Sequence, residues 1–378
     1  MLSYWERESF TEYDYAVIGG GITGLSTAIS LKDKDPGARI VVLERGLRPT
    51  GASSRNAGFA CFGSASELSA DIKTLGEEGM VDLVHQRWSG LQKLRGRVGD
   101  KNLKFENYGG YELLRDSELM YLDKIDLLNG LLKDLFKGDV FRDHSNELKN
   151  FGFSKTVRGL IYNPFESQLH PGEMMRNLWL LASEKGIVII TGARVKRIEP
   201  TGNLIKIRVG GNRESDKMGI NAGKIAVCTN GFTRQLFPDV KLRPGRGLVL
   251  VTEPVEDLPF RGTFHMDRGY YYFRNAGNRI IFGGGRNLQM KEEETTEFGI
   301  NTFIKETLLG YLQNLILPSR EVKIERFWSG IMAFGDNKAP IVECHSPGIY
   351  VGARLGGMGV AIGSNIGEKL AEMMIGDG

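Results

Sequence analysis

The sequence predicts a mixed α/β chain in which a parallel, doubly wound sheet domain is interleaved with an antiparallel-sheet domain. Three observations carry this. The stretch from Tyr13 to Glu44 reads as strand, glycine turn, helix and strand. A second glycine-rich turn, Gly356-Gly357-Met358-Gly359, opens a helix at the far end of the chain. Between them, runs such as Tyr270–Arg274 and Arg279–Gly283 face each other across an Asn/Gly turn, the pattern of an antiparallel pair. Both ends of the chain, with the central Val188–Thr229 region, then build one domain. The expected boundaries are residues 1–85, 150–240 and 320–378 for that domain, and 86–149 and 241–319 for the other.

The opening stretch carries chemistry. Gly19, Gly21 and Gly24 fit a dinucleotide fingerprint: a tight turn, close backbone approach to a pyrophosphate, and close packing of helix on strand. The helix that follows, through Ile22 and Thr23, presents unpaired N–H groups and its positive end to phosphates. Glu44 lies twenty residues past Gly24, where a carboxylate grips a ribose 2′-hydroxyl. An acid there disfavours a 2′-phosphate, which leaves FAD or NAD ahead of NADP.

A chain of 378 residues is long enough for two domains, and a net charge of +3 with scattered basic residues gives no sign of nucleic-acid binding. Cys61, Cys228 and Cys344 are far apart and show no metal spacing, so no metal is expected and a reduced, cytoplasmic setting is the default. Met1–Tyr13 lacks a signal-peptide pattern, and the apolar run Ala16–Leu31 is too short and glycine-broken for a membrane span.

The remaining elements follow in order. The small, hydrogen-bonding loop Ala52–Gly58 is either a surface turn or a backbone segment lying against a cofactor. Glu67–Val98 has helical periodicity, broken near Gly76 and Gly79. Leu103–Leu114 alternates like strands, and Ser117–Phe136 is helical with Ser117 as cap. His170-Pro171-Gly172 precedes a helix over Glu173–Lys185. Strands follow at Ile187–Thr191, Val195–Ile198, Ile205–Val209 and Lys224–Cys228, before Thr229-Asn230-Gly231 turns into a short helix. Leu242–Thr252 and Glu321–Ile331 are long strands, and Glu292–Leu317 is a helix with Phe298, Phe303 and Leu308 on its apolar face.

Four blocks together resemble the D-amino-acid oxidase/glycine oxidase/sarcosine oxidase group of FAD-dependent oxidoreductases, nearest its gamma-glutamylputrescine-oxidase-like branch. They are Val17–Gly24 with Glu44-Arg45; Ala52–Gly58; Val195 with Cys228–Gly231; and Trp328-Ser329-Gly330 through Gly359. The resemblance covers nearly the whole chain. It implies a Rossmann-like FAD-binding domain interleaved with an antiparallel-sheet substrate domain. It places Gly19, Gly21 and Gly24 at the pyrophosphate, Glu44 at the ribose and Arg45 by the adenine, with Val195 meeting the adenine through its backbone. Ser53, Ser54, Asn56, Ala57 and Gly58 run past the pyrophosphate and isoalloxazine in that picture. Thr229, Asn230 and Gly330 belong to the same cofactor set, and Gly356, Gly357, Met358 and Gly359 give N–H groups to the pyrimidine edge of the flavin. The implied reaction is oxidation of an amine or amino-acid derivative by hydride transfer to flavin N5, giving an imine that hydrolyses. Oxygen or another electron acceptor completes the cycle.

The sequence also departs from the group. Where relatives that oxidise free amino acids carry a carboxylate-gripping arginine, this chain has Met332, which disfavours a plain α-amino acid held in that way. No histidine stands near Asn56 and no cysteine near Ser329-Gly330, so FAD is expected to be non-covalent. Arg354 either binds a substrate anion or pairs with a core carboxylate. Met332, Arg354 and Tyr271 are the pocket candidates, since Tyr270, Tyr271 and Tyr272 cannot all face one way on a strand. Arg274, His170 and His265 read more readily as structural. The alternatives are an N-methyl or D-amino acid dehydrogenase with a non-oxygen acceptor, and a flavin-binding protein without catalysis.

Overall fold

Two eight-stranded sheets organise the chain, and each follows from its side-chain pattern. The computed structural model describes residues 3–210, 218–318 and 320–376. The first sheet runs in the order Ile341–Ser346, Ile349–Ala353, Met218–Val227, Glu12–Ile18, Ile40–Leu43, Val188–Ile190. Its five central strands, Ile349–Ala353 through Val188–Ile190, are parallel. Ile40–Leu43 and Ile349–Ala353 are buried throughout, as strands covered on both faces must be. Leu204–Val209 and Val195–Thr201 extend the sheet antiparallel from Met218–Val227.

The second sheet has the order Ile324–Phe334, Arg243–Thr252, Arg279–Gly284, Tyr271–Ala276, Thr263–Met266, Gly110–Leu114, Gly159–Asn163, Arg142–Asp143. It is antiparallel except where Thr263–Met266 meets Gly110–Leu114. One face packs Phe264, Phe273 and Phe282 against Leu308 and Leu312. Two of the expected boundaries therefore move. Gly159–Asn163 and Ile324–Phe334 fall within the bounds expected for the nucleotide domain, but their hydrogen bonds belong to this second sheet.

Three helices pack together beside the parallel sheet. They are Ile22–Lys34, Gly359–Gly376 and the long Ala65–Val98. Ile22–Lys34 and Gly359–Gly376 approach closely because Gly367 has no side chain: a Cβ there would lie 2.6 Å from Ser26 Cβ and 2.7 Å from the Thr27 nitrogen. Ala65–Val98 breaks at Gly76, which adopts the non-helical φ 75° and ψ 174°, so two helices meet there as the break near Gly76 and Gly79 leads one to expect. Its first turn is tied to the second sheet. Buried Glu112 accepts hydrogen bonds from the Ser64 hydroxyl (2.9 Å) and the Ser66 main-chain nitrogen (3.1 Å), putting a carboxyl at the positive helix end.

Other elements are shorter than periodicity predicts. In the Leu103–Leu114 region only Gly110–Leu114 is strand. The helix expected from Ser117 starts as a 3₁₀ stretch, Asp116–Lys124, before α-helix Ile125–Leu132, and Glu118 rather than Ser117 accepts the Arg115 N–H at its start (3.0 Å). The helix expected over Glu292–Leu317 covers Thr302–Tyr311 with a π turn after it, because Asn301 caps it through the Ile304 nitrogen. Phe298 and Phe303 are 41% and 56% exposed, so they are not on its buried face.

Replacing Gly367 with valine forces side-chain atoms into Ser26. The expected loss is about 1–3 kcal/mol of stability, as for other overpacked cores. A thermal melt of Gly367→Val with an unchanged midpoint would remove this contact from the account.

Candidate functional site

A cavity of about 750 Å³ runs between the two sheets. At one end its wall is Gly19, Gly21, Ile22, Thr23, Glu44, Arg45 and Val195. At the other it is Phe59, His265, Tyr270, Tyr272, Arg286 and Met332, with the Gly356–Gly359 turn between.

The first end is built by the strand–turn–helix. Gly19 turns with φ 105°, and a Cβ on Gly24 would collide with the Gly19 carbonyl, so strand and helix meet at contact distance. Glu44, at the end of Ile40–Leu43, is 7% exposed. Its two oxygens accept the main-chain N–H groups of Gly20 and Gly46, each at 2.9 Å. Glu44 therefore holds both the glycine turn and its own loop while still lining the cavity. Trp179 donates from Nε1 to the Gly20 carbonyl (3.1 Å) and fixes the turn from the other side. Ser53 Oγ accepts the Ile22 N–H at 3.0 Å, which links the Ala52–Gly58 loop to the helix start. The Gly21 and Thr23 N–H groups have no acceptor among the described residues. Arg45 lies over the Phe232 ring, 3.7 Å from its centre, and burial pulls its pKa down.

The Ala52–Gly58 loop divides its residues between two tasks. Ser53, Asn56 and Ala57 line the cavity. Ser54 does not: its hydroxyl is bonded to the Pro49 carbonyl (2.7 Å). Gly58 also lies outside the wall, because its N–H goes to Asn56 Oδ1 (2.8 Å) and its carbonyl to the Leu169 N–H (2.8 Å). Gly24 is likewise a packing residue rather than a lining one. Arg274 is buried and bonds to the carbonyls of Ala57, Leu169 and Asn275. It anchors the loop, and His170 accepts the Glu173 N–H as a helix cap.

The Gly356–Gly359 turn meets the middle of the cavity. Gly356 and Gly357 take φ 57° and 84°, and the N–H groups of Gly357, Gly359 and Val360 have no acceptor among the described residues. These unpaired donors at the start of an 18-residue helix suit a group that gains negative charge on its edge. Thr229, Asn230 and Gly330 complete this wall. Asn230 sits at φ 46° and accepts the Arg354 N–H through Oδ1.

The three pocket candidates separate. Met332 lines the cavity beside Gly357. Arg354 also lines it, but its guanidinium is engaged with the main-chain carbonyls of Ala339 (2.8 Å) and Lys241 (3.0 Å), not with a carboxylate. Tyr271 is a correction. It points into the core of the second sheet, against Tyr311, and strand alternation turns Tyr270 and Tyr272 to the cavity instead.

Sequence reasoning missed the polar cluster behind Tyr272. His265 Nε2 lies 2.9 Å from Glu166 Oε2, both buried, and only His265 reaches the cavity. Burial opposes a charge on His265, but the charge and hydrogen bond of Glu166 outweigh it, with Glu67 and Glu112 adding to them, and raise its pKa to about 9. Phe59 packs edge-on against both His265 (5.2 Å) and Tyr272 (5.6 Å). Cys61 is close enough that its sulfur, Glu166 and His265 have donor atoms within 4.8 Å of one another. Burial holds the Cys61 thiol well above its ordinary value, so the group is a hydrogen-bonded pair beside a neutral thiol. Glu166 and His265 are 99 residues apart, and no local motif joins them. At the mouth, Lys338 bridges to Asp71 (2.7 Å) and approaches Glu67 (3.8 Å).

Glycine turn, buried strand-end carboxylate and two sets of unpaired N–H groups fit an extended dinucleotide cofactor of FAD type. The FAD dependent oxidoreductase family model matches residues 14–373, and the chain belongs to that family. It is 23% identical to the probable oxidoreductase OrdL of Haemophilus influenzae, over 96% of this chain and 83% of that protein. It is also 23% identical to the gamma-glutamylputrescine oxidoreductase of Escherichia coli, over 98% and 85%. Its fold is similar to glycine oxidase from Geobacillus kaustophilus (TM-score 0.76, 18% identity, 97% and 95% covered). It is similar also to iminodiacetate oxidase from Chelativorans sp. BNC1 (TM-score 0.76, 19% identity, 96% and 95% covered). Among the described residues no helix is long and apolar enough to cross a membrane.

Two outcomes follow from this geometry. Glu44→Ala removes the acceptor of the Gly20 and Gly46 N–H groups at the cavity wall, and FAD affinity, read by fluorescence titration of the apoprotein, falls at least ~10-fold; an unchanged affinity removes Glu44 from the cofactor set. The His265–Glu166 pair makes stability pH-dependent. Its raised pKa contributes stability fully present below 6.5 and lost as pH rises through about 9. The difference in melting temperature between wild type and His265→Gln therefore shrinks from pH 6 to pH 10, and a constant difference refutes the linkage.

Proposed function

We propose that this member of the FAD dependent oxidoreductase family oxidises the carbon–nitrogen bond of a primary or secondary amine or amino-acid derivative. One observation carries the reading. The dinucleotide cradle and the aromatic pocket of Phe59, Tyr270 and Tyr272 are a single cavity, so a small molecule in the pocket lies against the cofactor site. The names of the relatives support an amine donor: two are a gamma-glutamylputrescine oxidoreductase and a glycine oxidase.

FAD bound there supplies a two-electron acceptor for hydride from the carbon beside nitrogen. The chain's own residues position the substrate and set its protonation. Phe59 and Tyr272 give the pocket an aromatic wall. His265 presents the positive end of its ion pair with Glu166 to the cavity. A cation there disfavours an ammonium group beside it and holds a nearby amine neutral, the form that releases hydride. The Gly357, Gly359 and Val360 N–H groups favour negative charge at the middle of the cavity. Met332 leaves no guanidinium at its own position for an α-carboxylate, which favours amines larger than a simple α-amino acid. FAD is held without a covalent link on this reading, since the Cys61 thiol in the wall is kept neutral by burial.

Anaerobic titration of the purified protein tests this. Amines, N-methyl amino acids or D-amino acids bleach the flavin absorbance, and acid precipitation leaves the yellow colour in the supernatant. A protein that binds FAD and is bleached by none of these is a flavin-binding protein rather than an amine oxidoreductase. The rate of recolouring in air then separates oxygen from another acceptor.

A further inference from the structure

Arg286 follows the strand Arg279–Gly284 and lines the pocket end of the cavity. Its guanidinium carbon lies over the Phe334 ring, 3.9 Å from the centre. It has no hydrogen-bond or ion-pair partner among the described residues. Arg45, Arg194 and Arg268 also line the cavity without a side-chain hydrogen bond or ion pair among the described residues, but other arginines of this region are engaged. Arg354 bonds to two carbonyls, Arg55 to the Ser329 carbonyl (2.9 Å), and Arg246 is bidentate to Glu293 (2.8 and 2.9 Å). Glu293 also accepts from Asn301 (2.9 Å), so this carboxylate is already committed.

The path of the Arg286 side chain adds to this. It crosses Gly245, where a Cβ would stand 3.5 Å from Arg286 Cδ. Gly245 is the register partner of Met332 on the adjacent strand. The guanidinium thus arrives from the side, over the strand next to Met332, and packs on Phe334, two residues further along the same face. A strand position that lacks a cation is served by one from two strands away.

We propose that Arg286 is a specificity-determining residue that binds a carboxylate of the substrate, set apart from the position a residue at 332 would reach. The inference rests on the amine-oxidoreductase reading for the word substrate, but not for the binding itself. The contact with Phe334 holds the guanidinium over the ring, and its free N–H groups can make two parallel bonds to a planar carboxylate. A half-buried guanidinium with no protein acceptor, open to the cavity, has its N–H groups available to an incoming anion. The substrate class is then an amine carrying a carboxylate, larger than glycine.

The test uses the FAD-loaded protein, with benzoate as a non-oxidisable carboxylate and benzamide as its uncharged counterpart, read by perturbation of the flavin absorbance. Benzoate binds wild type, and Arg286→Met weakens it at least ~10-fold, Arg286→Lys by less, with benzamide unaffected. Phe334→Leu, which removes the stacking plane and keeps the charge, weakens benzoate by a smaller factor. For amines that bleach the flavin, Arg286→Met raises KM for those bearing a carboxylate and leaves kcat and the uncharged amines unchanged. Equal benzoate affinity in wild type and Arg286→Met overturns the proposal, as does no benzoate binding to wild type. Benzoate binding through Arg286 in a protein that no amine bleaches keeps the anion site and sinks the oxidoreductase reading instead.

Discussion

The close contact between the helices Ile22–Lys34 and Gly359–Gly376 is the constraint on which the site depends. Gly367 against Ser26, and Gly363 beside Ile22, let the two backbones approach where side chains would hold them apart. Because the helices start at the same end of the parallel sheet, the contact brings two positive helix ends to one cavity. One end faces the expected pyrophosphate and the other the expected pyrimidine edge of the flavin. Ala65–Val98 joins the same stack through Gly90, where a Cβ would collide with the Ala361 carbonyl. The first and last thirds of the chain are thus held by packing rather than by sequence neighbourhood.

The second sheet forms the opposite wall, and polar links set its position. Arg274 reaches from this sheet to the Ala57 and Leu169 carbonyls, and Trp328 donates to the Arg55 carbonyl (2.8 Å). Glu112 ties the start of the long helix to the same sheet. These are buried or half-buried groups bonded to main-chain or side-chain partners, the arrangement that makes polar burial tolerable. The His265–Glu166 pair behaves differently. It is buried, charged and open to the cavity on one side, which suits a group that acts on a ligand rather than one that merely holds a turn.

Local patterns were legible where one short segment carries the whole requirement. Gly19, Gly21 and Glu44 act within one strand–turn–helix–strand unit, so spacing alone locates them. Individual members of the Ala52–Gly58 loop were not: Ser53 faces the cavity and Ser54 turns to Pro49, a difference set by one helical step. Tyr271 and Tyr272 are likewise alike in sequence, and only the register of Tyr271–Ala276 against Thr263–Met266 tells which faces inward. Phe298 and Phe303 suggested a buried helix face, but the Asn301 cap starts the helix after Phe298.

By itself the sequence determined the dinucleotide unit, the late glycine turn, the two sheet types and the absence of an arginine at position 332, because each depends on residues close along the chain. Tertiary structure alone decided which strands share a sheet, as with Gly159–Asn163 and Ile324–Phe334. It alone joined Glu166 to His265 and carried Arg286 over Gly245 toward Met332. Those relations cross between strands and domains, where hydrogen-bond register and packing, not spacing, fix what touches what.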